Sequence, residues 1–235
     1  MRSLFYFILL PALLPVGFII WYIYSQDKVE REPVGMVVKV LLFGAIFSLV
    51  DIPVEKYLQQ VISSYYPQEN LQYELMENFI GVACVEEFTK WLVLFFFVWK
   101  SRNFDYKFDG IVYAVAASLG FAGLENLIYV CNYGTSVAFS RALFAIPGHA
   151  SFGVVMGFFI SRAKHYKLEN RNIPSFLCML LCLLIPICMH GAYDFLLSPA
   201  AKEQKFSPYF LLLVIVIDYI VFLLIRHESK TDKPL

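Results

Sequence analysis

FIGVACVEEFTKWLVLFFFVW, residues 79–99, is an apolar run of membrane-spanning length that carries Glu86 and Glu87 near its middle and Lys90 one turn later. A charged side chain at mid-membrane costs about 2.5–3.5 kcal/mol even on lenient insertion scales, so three in one run need a purpose. The usual purpose is a functional site facing a wet or protein-lined cavity. The run therefore predicts a helix across a bilayer and a polar centre inside it.

The rest of the 235 residues shares that environment. Hydrophobic residues make up 59% of the chain and charged residues 16%, against about 25% charged in an average soluble domain. The formal net charge is zero, which leaves no basic stripe for nucleic acid and sets that partner class aside. The bilayer is the partner that composition demands.

Apolar segments able to cross about 30 Å of hydrocarbon recur about seven times: Ser3 to Tyr24, Val34 to Ile52, Phe79 to Trp99, Asp109 to Cys131, Phe139 to Arg162, Ser175 to Leu197 and Pro208 to Ile225. They lack period-two alternation, which argues against a β-barrel. The first begins Met-Arg like a signal peptide, but it is too long for one. It also has no small-residue cleavage site and ends in the belt Trp21, Tyr22, Tyr24, so it is expected to stay as a helix. Lys39 and Asp51 near the ends of the second are expected to snorkel to the interface. Pro53 to Asn78 is expected to be a long connection. The predicted fold is an all-α, polytopic transmembrane helix bundle, one domain over residues 1–225 followed by a short cytoplasmic tail, 226–235.

Lys and Arg set the orientation. The side that holds the C-terminal tail carries about twelve of them, and the other side about five (Arg2, Lys56, Arg141, Lys202, Lys205), which predicts the N-terminus outside and the C-terminus cytoplasmic. At about 1.5 Å per helical residue, Glu86, Glu125, His149 and His190 then all lie roughly 9–15 Å below the outer surface. Four different helices place an ionisable group in one layer.

Spacing within the helices sharpens this. At about 100° per residue, Lys90 projects between Glu86 and Glu87 and can pair with either, which makes the two carboxylates unequal, as general acid and base work requires. His190 and Asp194 stand at i and i+4, where a carboxylate can fix a histidine's tautomer. Glu125 and Asn126 are followed by Tyr129 one turn on. His149, Gly153 and Gly157 share a face, and the glycines permit close helix approach. Pro147 and Pro186 precede His149 and His190 where a kink would re-aim them.

Each feature has a structural alternative: an ion cluster for the glutamates and Lys90, a packing pair for His190 and Asp194, interhelical glue for Glu125 and Asn126, and a satisfied interior group for His149. Their agreement in depth favours a shared site. Elsewhere, Asp109 reads as a helix N-cap with Gly110 at the first helical position. Asp218 is expected to pair locally, and His165 and His227 to be solvated near headgroups. The five cysteines read as small apolar packing residues.

The ordered motifs Val85-Glu86-Glu87-Phe88-Thr89-Lys90, Asp109-Gly110-Ile111-Val112-Tyr113, Gly120 to Leu127, Gly148-His149-Ala150 and His190-Gly191-Ala192-Tyr193-Asp194 closely resemble the PrsW family of bacterial intramembrane proteases. Trp21 to Tyr24, Asp27 and Glu32-Pro33 are similar to that family's opening segment. The resemblance implies kinship with the glutamate-dependent type II CAAX prenyl endopeptidases and Abi proteins, which carry EExxxR, FxxxH and HxxxN or HxxxD. Two departures stand out. Lys90 comes one residue before the relatives' arginine, and Phe121-xxx-Glu125 ends in glutamate where they have histidine, so His149 is expected to supply the imidazole.

What the resemblance implies for function is peptide-bond hydrolysis within the membrane by a water that Glu86 activates. Glu87 and Lys90 would orient it, and His149 and His190 would assist the water or bind the developing oxyanion. Asp194 would orient His190, while Glu125 and Asn126 would hold water or substrate backbone. The implied substrate is a single-span membrane protein, such as an anti-sigma factor, cut near the outer face of the bacterial cytoplasmic membrane. No cofactor is expected. The alternatives are a zinc-dependent hydrolase of peptide or lipid with His149, His190 and Glu125 as ligands, although HExxH is absent, and a proton- or ion-coupled transporter.

Overall fold

The computed structural model describes residues 2–68, 70–203, 205–206 and 208–235, with side chains from Leu10 onward. The side chain of Arg2, counted above among the outer basic residues, lies outside the described set, as does Met1. The chain forms α1 (Arg2–Gln26), α2 (Val34–Tyr65), α3 (Leu71–Met76), α4 (Cys84–Phe97), α5 (Asp109–Tyr133) and α6 (Ser136–Ser140). It continues with α7 (Ile146–Leu168), α8 (Asn172–Leu197), α9 (Pro199–Glu203) and α10 (Pro208–Lys230). Wider π-helical stretches, Glu77–Ala83 and Arg141–Ala145, lead into α4 and α7. No strand forms among the described residues; the lone bridge joins Tyr106 and Pro234.

This is a polytopic helical membrane bundle. Among the described residues, five helical stretches are long and apolar enough to cross a bilayer: α2, α5, Ser136–Leu168 as one, α8 and α10. Large apolar side chains such as Leu42, Ile46, Phe96, Leu180, Leu211 and Ile215 face outward, a surface that only lipid would cover.

The centre is α5. Every residue from Asp109 to Gly123 is buried, so this helix is apolar all round and has neighbours on every side. Its small residues let those neighbours close in. A Cβ at Gly120 would collide with the Leu41 carbonyl of α2, and one at Gly157 of α7 with the Gly110 carbonyl of α5. The glycine face expected around His149 is thus the α5–α7 contact. It sets the depth of His149 against Glu125.

Two expectations for the second and third spans are corrected. Helix α2 does not stop at Ile52; it runs through Pro53 to Tyr65, and α3 with the following π stretch takes up most of what then remains of the expected connection. Proline removes one hydrogen bond and crowds one carbonyl, which a long packed helix absorbs. The run 79–99 opens in the π stretch and its α-helix ends at Phe97.

Asp109 is not an N-cap but the first residue of α5. Its Oδ2 accepts from the N–H groups of Asp105 and Tyr106 in the preceding loop. The C-terminal residues pack back onto that loop: the Asp232 Oδ1 accepts from Phe108 N–H and the Leu235 N–H donates to the Asp105 carbonyl. Glu228 pairs with Arg162 at 3.0 Å, and the Ser229 hydroxyl donates to the Gln26 carbonyl at 2.6 Å. On the same side Asp27 and Glu32 are buried, with the Glu32 N–H donating to Asp27 Oδ2 and the Tyr113 hydroxyl donating to Glu32 Oε2.

Candidate active site

Helix α4 begins with the residues that matter most. Glu86 and Glu87 lie in its first turn, where α4 continues without a break from the π-helical stretch before it. Lys90 follows within reach of both, its Nζ donating to Glu87 Oε1 at 2.7 Å and to Glu86 Oε2 at 3.2 Å. The ammonium is fully buried beside the Phe121 ring, 4.4 Å from its centroid. Sequence spacing anticipated this shared cation.

The third contact of Lys90 fixes a tautomer. Its Nζ lies 3.0 Å from His149 Nδ1, and an ammonium has no acceptor to offer, so Nδ1 accepts and the ring hydrogen sits on Nε2. That Nε2 donates to Glu125 Oε2 at 3.2 Å. Glu125 is also met by Arg141 Nη2 at 2.7 Å, and Arg141 Nε donates to Asn126 Oδ1 at 3.0 Å. Asn126 in turn donates to the Ala12 carbonyl, tying α5 to α1. Arg141 lies on the π stretch before α7, whose wider turn precedes Pro147.

His190 of α8 stands between two carboxylates. Its Nδ1 is 2.9 Å from Glu87 Oε1 and its Nε2 is 3.2 Å from Asp194 Oδ2; both are hydrogen bonds at once when both nitrogens carry hydrogen. The His149 and His190 rings meet edge to face at 5.1 Å, with Phe152 stacked on His190. Pro186 lies within α8, one turn before His190.

These groups face a cavity of about 500 Å³ lined by Glu86, Glu125, Arg141, His149, His190 and Asp194, with Asp51, Glu55 and Glu74 on the α2–α3 side. Glu86 and Glu87 part company here. Glu87 is fully buried and does not line the cavity, whereas Glu86 does, and each histidine comes within 4.0 Å of Glu86 Oε2. No described group bonds to Glu86 Oε1. Of the adjacent pair, one carboxylate is enclosed by partners and the other is free to meet what enters.

All eight residues singled out by sequence therefore converge: Glu86, Glu87 and Lys90 from α4, Glu125 and Asn126 from α5, His149 from α7, His190 and Asp194 from α8. Four of them, Glu86, Glu87, His149 and His190, bring donor atoms within 4.8 Å of one another. Glu125 is not in that group, because the His149 nitrogen that reaches it points away from Lys90. The zinc set expected from sequence is thus replaced, as a geometric candidate, by one containing both adjacent glutamates. Tyr129 lines the cavity as its spacing suggested, with Arg141 over its ring at 4.1 Å. Asp218 accepts from the Ser151 hydroxyl at 2.9 Å, a bond between α10 and α7 rather than within its own helix.

Sequence reasoning missed three residues. Asp51 does not snorkel; it is 2% exposed and its Oδ1 accepts from the Thr89 hydroxyl of α4 at 2.6 Å. Glu55 was assigned to a loop. Its i,i+4 relation to Asp51 was legible only if the helix crosses Pro53. Arg141 had been counted only as a flanking charge, and its reach to Glu125 across helices has no local signature.

Comparison with known proteins bears on the family of the chain. Residues 32–225 match the family described as PrsW family intramembrane metalloprotease. The chain is 34% identical over 214 residues to Protease PrsW of Oceanobacillus iheyensis, covering 90% of this chain and 93% of that protein. It is 37% identical over 183 residues to Protease PrsW of Geobacillus kaustophilus, covering 78% and 75%, and 34% identical over 178 residues to Protease PrsW of Bacillus subtilis, covering 75% and 76%. No solved structure matches. The match spans every residue that lines the cavity, and with the buried acid and histidine cluster it makes the chain a member of the PrsW family of intramembrane proteases.

Proposed function

We propose that this protein is a glutamate-dependent intramembrane endopeptidase, with Glu86 as the group that activates water. The observation that carries the reading is the split between the two glutamates: Glu87 is enclosed by Lys90 and His190, while Glu86 lines the cavity with Oε1 uncommitted. Water held by Glu86 attacks the scissile carbonyl carbon and gives its proton to the carboxylate. Glu86 then passes that proton to the amide nitrogen as the carbon–nitrogen bond breaks, leaving a carboxylate and an amine. Lys90 and His190 place positive charge beside the developing oxyanion in a site shielded from bulk water, and His149, its Nδ1 accepting from Lys90, holds that ammonium in place. Asp194 and Glu87 hold His190, and Arg141 with Asn126 holds Glu125 against His149.

The family description raises a metal. Two histidines and two glutamates match a zinc site in type and number. Lys90 Nζ, however, lies 2.7–3.2 Å from three of the four, where a cation between them would sit. As arranged, the residues hold an ammonium and do not fit a divalent ion. A zinc reading requires Lys90 to leave that position. Were a metal bound, it would supply a polarised water.

In this reading the protein spans the bacterial cytoplasmic membrane with its N-terminus outside, and it cuts a single-span membrane protein, such as an anti-sigma factor, in the outer half of the bilayer. Transport and lipid hydrolysis fall behind because the matched relatives are named as proteases. The experiment is cleavage of a single-span reporter by the purified protein in lipid bilayers, with metal content measured and chelator added. Activity that survives chelation in metal-free protein and disappears in Glu86→Gln is expected. Activity that tracks one bound metal per chain would overturn the glutamate mechanism in favour of the zinc one.

A further inference from the structure

The cavity has two walls of unlike chemistry. On the side of α4, α5 and α8, each lining acid meets a cation or an imidazole: Glu86 has Lys90, Glu125 has Arg141 and His149, and Asp194 has His190. The α2–α3 wall lacks such partners among the described residues. Asp51 Oδ1 accepts only the Thr89 hydroxyl, and its Oδ2 is buried with no partner at all. Glu55 makes no hydrogen bond or ion pair, and Glu74 Oε2 accepts only from the Asn78 amide at 3.2 Å. Arg141 is the one Lys or Arg among the described lining residues, and it is committed to the opposite wall.

We propose that this wall is a cation subsite that receives a lysine or arginine side chain of the substrate. The inference rests on the proteolytic reading and adds a substrate class to it. Buried carboxylates without partners are costly unless a cation completes them. Asp51 and Glu55 are one turn apart on one face of α2, and the Thr89 bond fastens that face to the helix bearing Glu86. A basic side chain beside the scissile bond can therefore lie along the row while its backbone passes Glu86. The spacing suits a long flexible cation rather than a metal ion, for Asp51, Glu55 and Glu74 do not gather into a close donor group as the residues around Lys90 do. The outer flanks of membrane proteins are poor in Lys and Arg. A subsite that demands one there selects a minority of the single-span proteins in the membrane.

The test uses the full-length protein in bilayers and single-span reporters identical except for Lys, Gln or Glu at successive positions flanking the cleaved bond. Wild type is expected to cleave the best Lys reporter about tenfold faster in kcat/KM than its Glu counterpart. Glu55→Gln should bring that ratio down to about twofold, and Glu55→Lys should invert it. Glu55 is partly buried and lies on the cavity wall outside the close-packed core, so these variants should fold; Asp51→Asn is the second, more buried probe. Binding of the same reporters to Glu86→Gln reads the subsite without catalysis and should show the same Lys preference. Equal handling of Lys and Glu reporters, or a ratio unmoved by every variant, overturns the subsite while leaving the protease. A Lys preference in binding with no cleavage above Glu86→Gln upholds the subsite and overturns the protease.

Discussion

At the scale of single residues, the account turns on two neighbouring carboxylates with different jobs. Glu86→Gln keeps the shape and removes the base, so kcat should fall by about 100-fold or more, the range general-base removal produces, with a smaller loss of thermal stability than Glu87→Gln because Lys90 keeps its shorter bond to Glu87. Glu87→Gln acts differently because Lys90 and His190 share its Oε1. Losing one member of such a buried pair costs about 3–5 kcal/mol, so this variant should lower the melting temperature as well as the activity. Equal stability of the two variants would contradict the division of labour. Asp194→Asn should cut kcat about 10- to 100-fold with little change in KM, since it supports His190 rather than contacting substrate; a KM effect alone would place Asp194 on the substrate path. The sequence pointed to these residues because acids and histidines inside apolar runs are conspicuous and helical spacing links residues up to four apart. It could not reveal Arg141, whose contact with Glu125 joins different elements, nor decide which adjacent glutamate faces the cavity, which depends on helix rotation.

Among elements, the site depends on how closely α2 and α7 approach α5. Gly120 has no room for a methyl group against the Leu41 backbone. Gly120→Ala should therefore destabilise the protein by about 1–3 kcal/mol and reduce activity by moving α2, whereas Gly35→Ala, with open space around it, should be neutral. Matching melting temperatures for the two would mean that the α2–α5 contact yields more easily than its backbone packing suggests. Most helices were legible as apolar runs. The extension of α2 was not, because Pro53 and the polar residues after it carry a loop's composition while the helix is sustained by packing against the π stretch and α4. The two π stretches have no sequence pattern separable from an α-helix.

The whole molecule has a second buried acidic cluster, on the side where its C-terminus packs. Burial pushes the Asp27 carboxyl up to about 6, against the Glu32 N–H that holds its anion, and Asp232 and Glu30 add to the rise. Burial likewise pushes Glu32 up to about 7, against bonds from Tyr113 and Asp109, with Asp27 and Glu30 opposing ionisation. Groups raised in the folded state bind protons that the unfolded chain has released. The stability they contribute is complete below about pH 4 and is lost as pH rises through about 6 to 7. The melting temperature in detergent should fall between pH 5 and 8, and Glu32→Gln should flatten that fall; an unchanged slope in the variant would show that Glu32 is not the titrating group.

Whether Glu86 carries proteolysis is read from new protein N-termini in membranes of bacterial cells expressing wild type or Glu86→Gln at matched levels, at rest and under envelope stress. The account predicts new termini within or beside the outer half of single-span proteins, present with wild type and absent with Glu86→Gln. Identical sets of termini in the two strains under both conditions would contradict it.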